Sequence, residues 1–268
     1  MPYELTIRLF FFLSILLIMM VWEIIAPRRK QKVSKKIRWV NNISLIIINS
    51  IIIRLLFPAA AVGIAIWCSQ NHLGLLNALD IPQWLKVIIA FLVLDLAIFL
   101  QHVLFHYLPV FWRIHKVHHA DLDFDVTTGL RFHPIEIVLS MLIKFMVIIF
   151  IGASVESVII FEIVLNATSM FNHSNIKLSL MIDKYLRYFI ITPDMHRIHH
   201  SVIPKETNSN FGFNLSLWDR LFATYRANAA NDQTTMDIGL SEHRDIVQTQ
   251  KLLGMIKMPF EDNQDPQN

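Results

Sequence analysis

Nine of the chain's 12 histidines fall into four groups with the spacing of metal ligands. The groups are His102-x3-His106, His115-x2-His118-His119, His173, and His196-x2-His199-His200. Imidazole suits iron, zinc, copper and nickel, and a helix presents two such ligands on one face at a spacing of three or four residues. In each H-x-x-H-H run the first and second histidines are expected to share a helical face. The third is turned by about 100 degrees, so that one turn serves two neighbouring metals. Nine nitrogens suit two metals with four or five protein ligands each and leave open positions for water or dioxygen. A lone H-x3-H is a common helix feature, but two H-x-x-H-H runs beside membrane segments are too many to be satisfied core histidines.

Metal-bound histidines normally donate their second ring nitrogen to a carboxylate or carbonyl. The candidate acids are Asp95, Asp123, Asp125, Glu136 and Asp194, with Asp194 the best placed, two residues before His196. Arg113 and Arg197 lie inside the clusters and cannot be ligands, although they can pair with such acids or with lipid head groups. His72 and His243 stand alone in polar stretches and are expected to be solvated. His133, in RFHPIE, is open to two readings: a residue of a pocket or of the shell behind the ligands, or a helix-entry residue before Pro134.

The segments that must hold these groups are apolar. Hydrophobic residues make up 54% of the 268, with only seven glycines, a composition that fits an integral membrane protein. Segment one is expected at about Thr6–Ile25, segment two within Ile43–Cys68, and segment three from Trp84 to about His106. Trp22, Trp39, Trp67 and Trp84 fall near segment ends, as in an aromatic belt. Arg54 interrupts segment two, so either the N-terminal part of that segment lies along the interface or Arg54 faces a polar interior. Along segment three, His102 lies roughly 27 Å from Trp84, near the far edge of the hydrocarbon. His106 stacks one turn beyond it, and Asp95 lies two turns below. An acid at that depth is a functional candidate, or the partner of a buried cation. A fourth apolar region has two pieces, Ile137–Gly152 and Val158–Met170, each too short for a comfortable span. A hairpin turning at Gly152–Glu156 returns His173 and the final cluster to the face that carries His102–His133; a single bent span would split the ligands across the membrane. The hairpin is the reading adopted.

Net charge is +3, but seven basic residues (Arg28, Arg29, Lys30, Lys32, Lys35, Lys36, Arg38) sit in one stretch without an acid. Removing those seven from the 24 basic residues leaves 17 against 21 acidic, so the excess is local. Between two apolar segments it reads as a cytoplasmic loop under the positive-inside rule, and as a contact for anionic head groups, not as a nucleic-acid patch. That places the histidines on the cytoplasmic face of a multi-pass protein. Cys68 is the only cysteine, which excludes an internal disulfide and any Cys-based metal site. The apolar N-terminus has no A-x-A-like cleavage site and reads as a retained anchor.

The expected fold class is all-α: an integral membrane helical bundle with a cytoplasmic helical cap holding the histidine-rich dimetal site. Residues 1–82 carry the N-terminal transmembrane helices and basic loop, 83–227 the catalytic domain, and 228–268 a polar tail. The stretch Asn208–Tyr225 reads as a turn at Asn210–Gly212 followed by an amphipathic, packing segment with Leu215, Leu217, Trp218, Leu221 and Phe222. The tail is expected to hold one surface helix near Ile246–Met255 and to be disordered beyond Glu261. Phe105, Phe171, Phe211 and Phe213 are candidates to line an apolar pocket formed by segments two to four.

The motifs HVLFH, WRIHKVHH, FNHSN and TPDMHRIHH, followed by SNFGFNLSLWDRLFATY, resemble the fatty acid hydroxylase / sterol desaturase superfamily over about Leu94–Tyr225. The run DVTTGLRFHPIE at Asp125–Glu136 is similar to its bacterial branch close to the alkylglycerol monooxygenases. The resemblance implies a non-haem di-iron centre, two iron ions, that uses dioxygen and external electrons to hydroxylate or desaturate an unactivated C–H bond of a fatty acyl, sterol or ether lipid. The ligands it implies are His102, His106, His115, His118, His119, His173, His196, His199 and His200. Ser169 stands where some members carry a further histidine. No flavin, haem or ferredoxin module is visible, so a separate redox protein or diffusible reductant is implied. The branch favours hydroxylation over desaturation.

Three other classes fit less well. A divalent-metal transporter would line its helices with ligands, whereas only His102 approaches the membrane core here. A di-haem electron carrier would place histidine pairs on facing spans. A membrane zinc hydrolase would carry H-E-x-x-H, which is missing.

Overall fold

A computed structural model describes residues 4–261. Its regular elements are all helical, and β-type contacts are isolated bridges such as Pro27 with Ile176 and Ser201 with Ile238. The apolar helices come first: α1 (Glu4–Ile25), α2 (Lys35–Leu56), α3 (Ala60–Gln70), the single turn α4 (Leu75–Ala78) and α5 (Gln83–Tyr107). Helix α6 (Pro109–His119) follows, then the pair α7 (Pro134–Ile151) and α8 (Val155–Asn172). Short helices close the chain: α9 (Leu180–Leu186), α10 (Pro193–His199), α11 (Pro204–Thr207), α12 (Leu217–Leu221), α13 (Ile246–Gln250) and α14 (Leu252–Lys257).

Five segments are long and apolar enough to cross a membrane: α1, the broken unit α2–α4, α5, α7 and α8. With outward faces that expose residues such as Phe10, Leu13, Leu17, Met146 and Phe150, they make the chain a multi-pass membrane protein. Pro58 stops α2, because the residue before a proline is pushed out of the helical region. Segment two is therefore a broken helix rather than a straight one. Its start also differs from expectation: α2 begins at Lys35, and Arg38 and Asn42 are buried among loops of the histidine region, while Arg54 is exposed.

The α7–α8 pair doubles back, as the convergence of the histidines required. Gly152 caps α7 in the left-handed region (φ 67°), and Ser154 caps α8 by accepting from Ser157 N at 3.3 Å. Any side chain on Gly152 would also strike Leu73 O, 2.5 Å from its Cβ position. The two helices pack on others more than on each other: α8 lies along α1 and α5, and α7 along α3 and α5. The apolar core between them joins Ala61 and Ala65 of α3, Ala90 and Leu94 of α5, Ile148, and Phe161 of α8. Where α7 and α8 diverge, a cavity of about 280 Å³ opens between α2, α5, α7 and α8 and reaches the histidines.

Segment 228–261 folds back onto the histidine region. Val202 N donates to Asp237 O (3.2 Å) and Gly239 N to His200 O (3.0 Å). The surface helix expected near Ile246–Met255 is two short helices, α13 and α14, and Met255 and Met258 pack against Leu45, Trp112 and Val117. The disorder expected beyond Glu261 lies outside the described residues.

Candidate metal centre

Four elements deliver the nine histidines. The last turns of α5 carry His102 and His106. Helix α6 starts on Pro109, whose fixed φ suits a first helical position, and carries His115, His118 and His119. His173 directly follows α8, and α10, capped by Thr192 and again begun by a proline, carries His196 and His199 with His200 at its end. All nine are buried, and they gather into two groups. His102, His106, His115, His119 and His199 form one; His118, His173, His196 and His200 form the other. Within each, one ligand atom per residue lies within 4.8 Å of all the rest.

The division corrects the expected pairing within each H-x-x-H-H run. The first and third histidines share a group, His115 with His119 and His196 with His200, because residues four apart stack along a helix. The second of each run, His118 or His199, turns to the other group. Each run thus sends two side chains to one group and one across.

Hydrogen bonds fix which nitrogen is free. His102 Nδ1 donates to Phe211 O (2.7 Å), His199 Nδ1 to Ser209 O (2.7 Å), His173 Nδ1 to Ser169 O (2.8 Å) and His118 Nδ1 to Arg131 O (3.3 Å). His106 Nδ1 faces Asn208 Oδ1 (3.2 Å), and His115 Nδ1 faces Glu136 Oε1 (2.7 Å). A carbonyl oxygen can only accept, so Nδ1 carries the proton and Nε2 is left as a lone pair. Yet Nε2 of His102 lies 3.1 Å from Nε2 of His199, and Nε2 of His118 lies 3.2 Å from Nε2 of His173. Two lone pairs facing each other repel; a cation between them resolves the contact. Imidazole nitrogens bound to one metal at roughly 2.1 Å stand about 3.0–3.4 Å apart, which these separations match. Among the described residues, Nε2 of His106, His115, His119 and His200 has no hydrogen-bond partner. The residues present therefore fit a pair of bound metals.

Burial also holds six of the imidazoles neutral. It pushes those of His118, His119, His196 and His200 well below the usual histidine range, and those of His173 and His199 down to about 3. Neutral imidazole is the form that binds metal.

The carboxylates are distributed differently from expectation. Glu136, in the first turn of α7, is the one acid of the five candidates that holds one of the nine histidines. Asp194 is turned away from the histidines, with both oxygens on Arg28 (3.1 Å) and an ion pair to Arg197. Asp95 accepts from Trp218 Nε1 (2.8 Å) and Leu215 N (3.3 Å), and so ties the segment after the final cluster onto α5. That segment supplies the carbonyl of Phe211, and Asp219 steadies it by accepting from Phe211 N and Gly212 N at 2.8 and 2.9 Å. Asp123 accepts from the Lys32 and Val33 amides, and Asp125 pairs with Arg38. His133 is a helix-entry residue: it accepts from Ile135 N at 3.2 Å and its Nε2 meets Ile256 O. His72 is exposed, as expected, but His243 is buried with Nδ1 against Gln248 Oε1 at 3.1 Å.

The basic stretch is folded into the site. Arg28 pairs with Asp194, Lys32 with Asp237, and fully buried Arg38 with Asp121 (2.8 Å) and Asp125. Of the four candidate pocket phenylalanines, Phe105 and Phe213 line the cavity beside His102 and His115. Phe171 packs in the cluster around Met19 and Val126, and Phe211 against Phe99.

The sequence profile of the fatty acid hydroxylase family matches residues 87–224. An ornithine lipid hydroxylase of Rhizobium tropici is 28% identical over 160 residues, covering 60% of this chain and 47% of that protein. Alkylglycerol monooxygenases of Xenopus tropicalis and Homo sapiens are 30% and 28% identical over 138 and 139 residues, covering 51% and 52% of this chain and 30% of each. The chain thus spans less than half the length of these relatives. No solved structure matches it. The matched span takes in every histidine of both groups, and the chain belongs to the fatty acid hydroxylase family.

Proposed function

We propose that the chain is a membrane-bound, non-haem di-iron oxygenase that hydroxylates an unactivated C–H bond of a lipid. The supporting observation is the pairing of two all-imidazole groups with the end of a cavity that opens among the membrane helices. The names of the relatives, a lipid hydroxylase and alkylglycerol monooxygenases, favour hydroxylation over desaturation. One iron is held by His102, His106, His115, His119 and His199, the other by His118, His173, His196 and His200. Bound there, the irons supply what no side chain can, the activation of dioxygen for attack on an alkyl C–H bond. Electrons come from a separate redox protein or a diffusible reductant.

The chain's own contribution is position. His102, His115 and Glu136 border the cavity, so the reacting carbon is held beside the five-histidine group. Phe105 and Phe213 pack at that end and exclude water from it. The carbonyls of Phe211, Ser209 and Ser169 fix the imidazoles with Nε2 free, before any metal arrives. The histidine face lies in the cytoplasm, in line with the basic residues at the α1–α2 connection, of which Lys30 and Lys36 remain exposed.

Metal analysis of the purified chain should give close to two irons. A haem, or no bound metal, would sink the reading. His199→Ala should lose the iron of the five-histidine group together with the oxygen-dependent lipid product, read by mass spectrometry of lipid extracts as the gain of one oxygen atom. Topology is tested separately: in a Cys68→Ala background, Lys36→Cys should be shielded from an impermeant thiol reagent added outside the cell.

A further inference from the structure

The cavity is not lined as a plain hydrocarbon slot. On the side away from the histidines it carries Lys144 of α7 and Glu162 of α8, with Nζ 2.7 Å from Oε1. The other Glu162 oxygen meets Arg8 of α1 at 2.9 Å, and Arg8 also pairs with Glu4 at 2.9 Å. Charged side chains within membrane spans are costly and seldom kept without a use. A stitch joining α1, α7 and α8 would account for Glu162, which already satisfies two cations. It does not account for Lys144. An ammonium has three N–H donors, and among the described residues Lys144 has one acceptor, while it borders an open cavity.

The position is also informative. Lys144 lies eight residues beyond Glu136 on α7, or about 12 Å along the helix. Glu136 holds His115, so it marks the end of the cavity where the histidines are. A lipid held with one carbon at the histidines therefore runs its chain past Lys144 at that distance. A saturated chain would leave the remaining ammonium N–H groups facing hydrocarbon, which is unfavourable for any buried polar group and more so for a charged one.

We infer that Lys144 and Glu162 form a deep polar subsite that binds a hydroxyl carried within the lipid chain, away from the carbon held at the histidines. The ammonium donates to the hydroxyl oxygen. The Glu162 carboxylate is at hand to accept the hydrogen bond of that hydroxyl. The subsite thus selects lipids already functionalised along the chain over plain saturated ones. The inference rests on the reading of the cavity as a lipid site, and it is tested by binding so that its fate is separate from that of the oxygenase reaction.

The probes are glycerol monostearate and the same ester with a mid-chain hydroxyl, titrated against the purified full chain in detergent micelles. The hydroxylated probe should bind about tenfold more tightly, the factor that one charge-assisted hydrogen bond supplies. Moving the hydroxyl along the chain should give a single affinity maximum. Equal affinities, or a flat positional profile, would overturn the subsite with the wild-type protein alone. In Lys144→Met the preference should vanish, and in Lys144→Arg it should persist. A preference that survives in Lys144→Met, in protein that melts as the wild type does, also overturns it. Missing iron or product would count against the oxygenase reading and leave the binding comparison intact.

Discussion

His102 Nε2 and His199 Nε2 stand 3.1 Å apart although their residues are 97 positions apart in the chain, and each ring already spends its Nδ1 proton on a backbone carbonyl, Phe211 O or Ser209 O. The contact is between two lone pairs, in a region where both rings are buried. It is stable only when something positive lies between them.

The two groups predict two separable metal losses. His199→Ala removes a nitrogen from the five-histidine group, and His173→Ala one from the four-histidine group. Each variant should retain about one of two irons, and neither should give product, if catalysis needs both. Iron per chain by elemental analysis checks this. Loss of both irons from His199→Ala alone would show that the groups fill together.

How far this was legible in the sequence depends on distance along the chain. Spacing identified the nine histidines, and the need for them to meet on one face required the α7–α8 hairpin. The pairing within each H-x-x-H-H run was misread because adjacency suggested the three-residue step, whereas the four-residue step puts His115 over His119 and His196 over His200. Asp194 looked like the natural partner because it sits two residues from His196, but Arg28 and Arg197 claim it. Glu136 is 21 residues from His115 and reaches it through the fold. The carbonyls of Phe211, Ser209 and Ser169 carry no side-chain signature. Arg38 read as one more cation of a basic cytoplasmic loop, because nothing local shows that Asp121 and Asp125 close over it.

Glu136 offers a graded test of how the site is held. Its Oε1 accepts from His115 Nδ1 at 2.7 Å, fixing that ring with Nε2 free. Glu136→Gln keeps an acceptor and should retain most of the iron. Glu136→Ala removes it and should weaken iron affinity by roughly 10–100-fold, the usual cost of losing such a partner. Competition with a chelator of known affinity reads the difference. Equal behaviour of the two variants would show that the carboxylate is not what orients His115.

Gly129 tests the other group from behind. A Cβ there would lie 2.8 Å from Ser169 O and 3.0 Å from His173 Nδ1, the two atoms of the bond that orients His173. Neither can retreat easily, since Ser169 O is backbone of α8. Gly129→Ala should therefore lower iron content at the four-histidine group while leaving the five-histidine group filled. Retention of both irons would mean that α8 shifts to accommodate the methyl group.

Arg38 carries the largest expected stability effect. Its guanidinium is fully buried, with Nε and Nη2 on Asp121 at 2.9 and 2.8 Å, Nη2 also on Thr128 at 3.0 Å, and Nη1 on Asp125. Asp121 follows His119 closely in sequence, and Thr128 precedes Gly129, so one cation from α2 binds together the loop between the α6 histidines and α7. Removing one partner of a buried ion pair leaves the other charge without compensation, at a cost of about 3–5 kcal/mol. Arg38→Met should strip the charge but keep much of the volume, leaving Asp121 and Asp125 buried side by side. The variant is expected to melt at a markedly lower temperature than the wild type in the same detergent and to lose iron from both groups. Adding Asp121→Asn and Asp125→Asn to Arg38→Met should recover part of that loss, because the repulsion disappears with the charges. If the triple variant is no more stable than Arg38→Met, the contribution of Arg38 is packing and not charge.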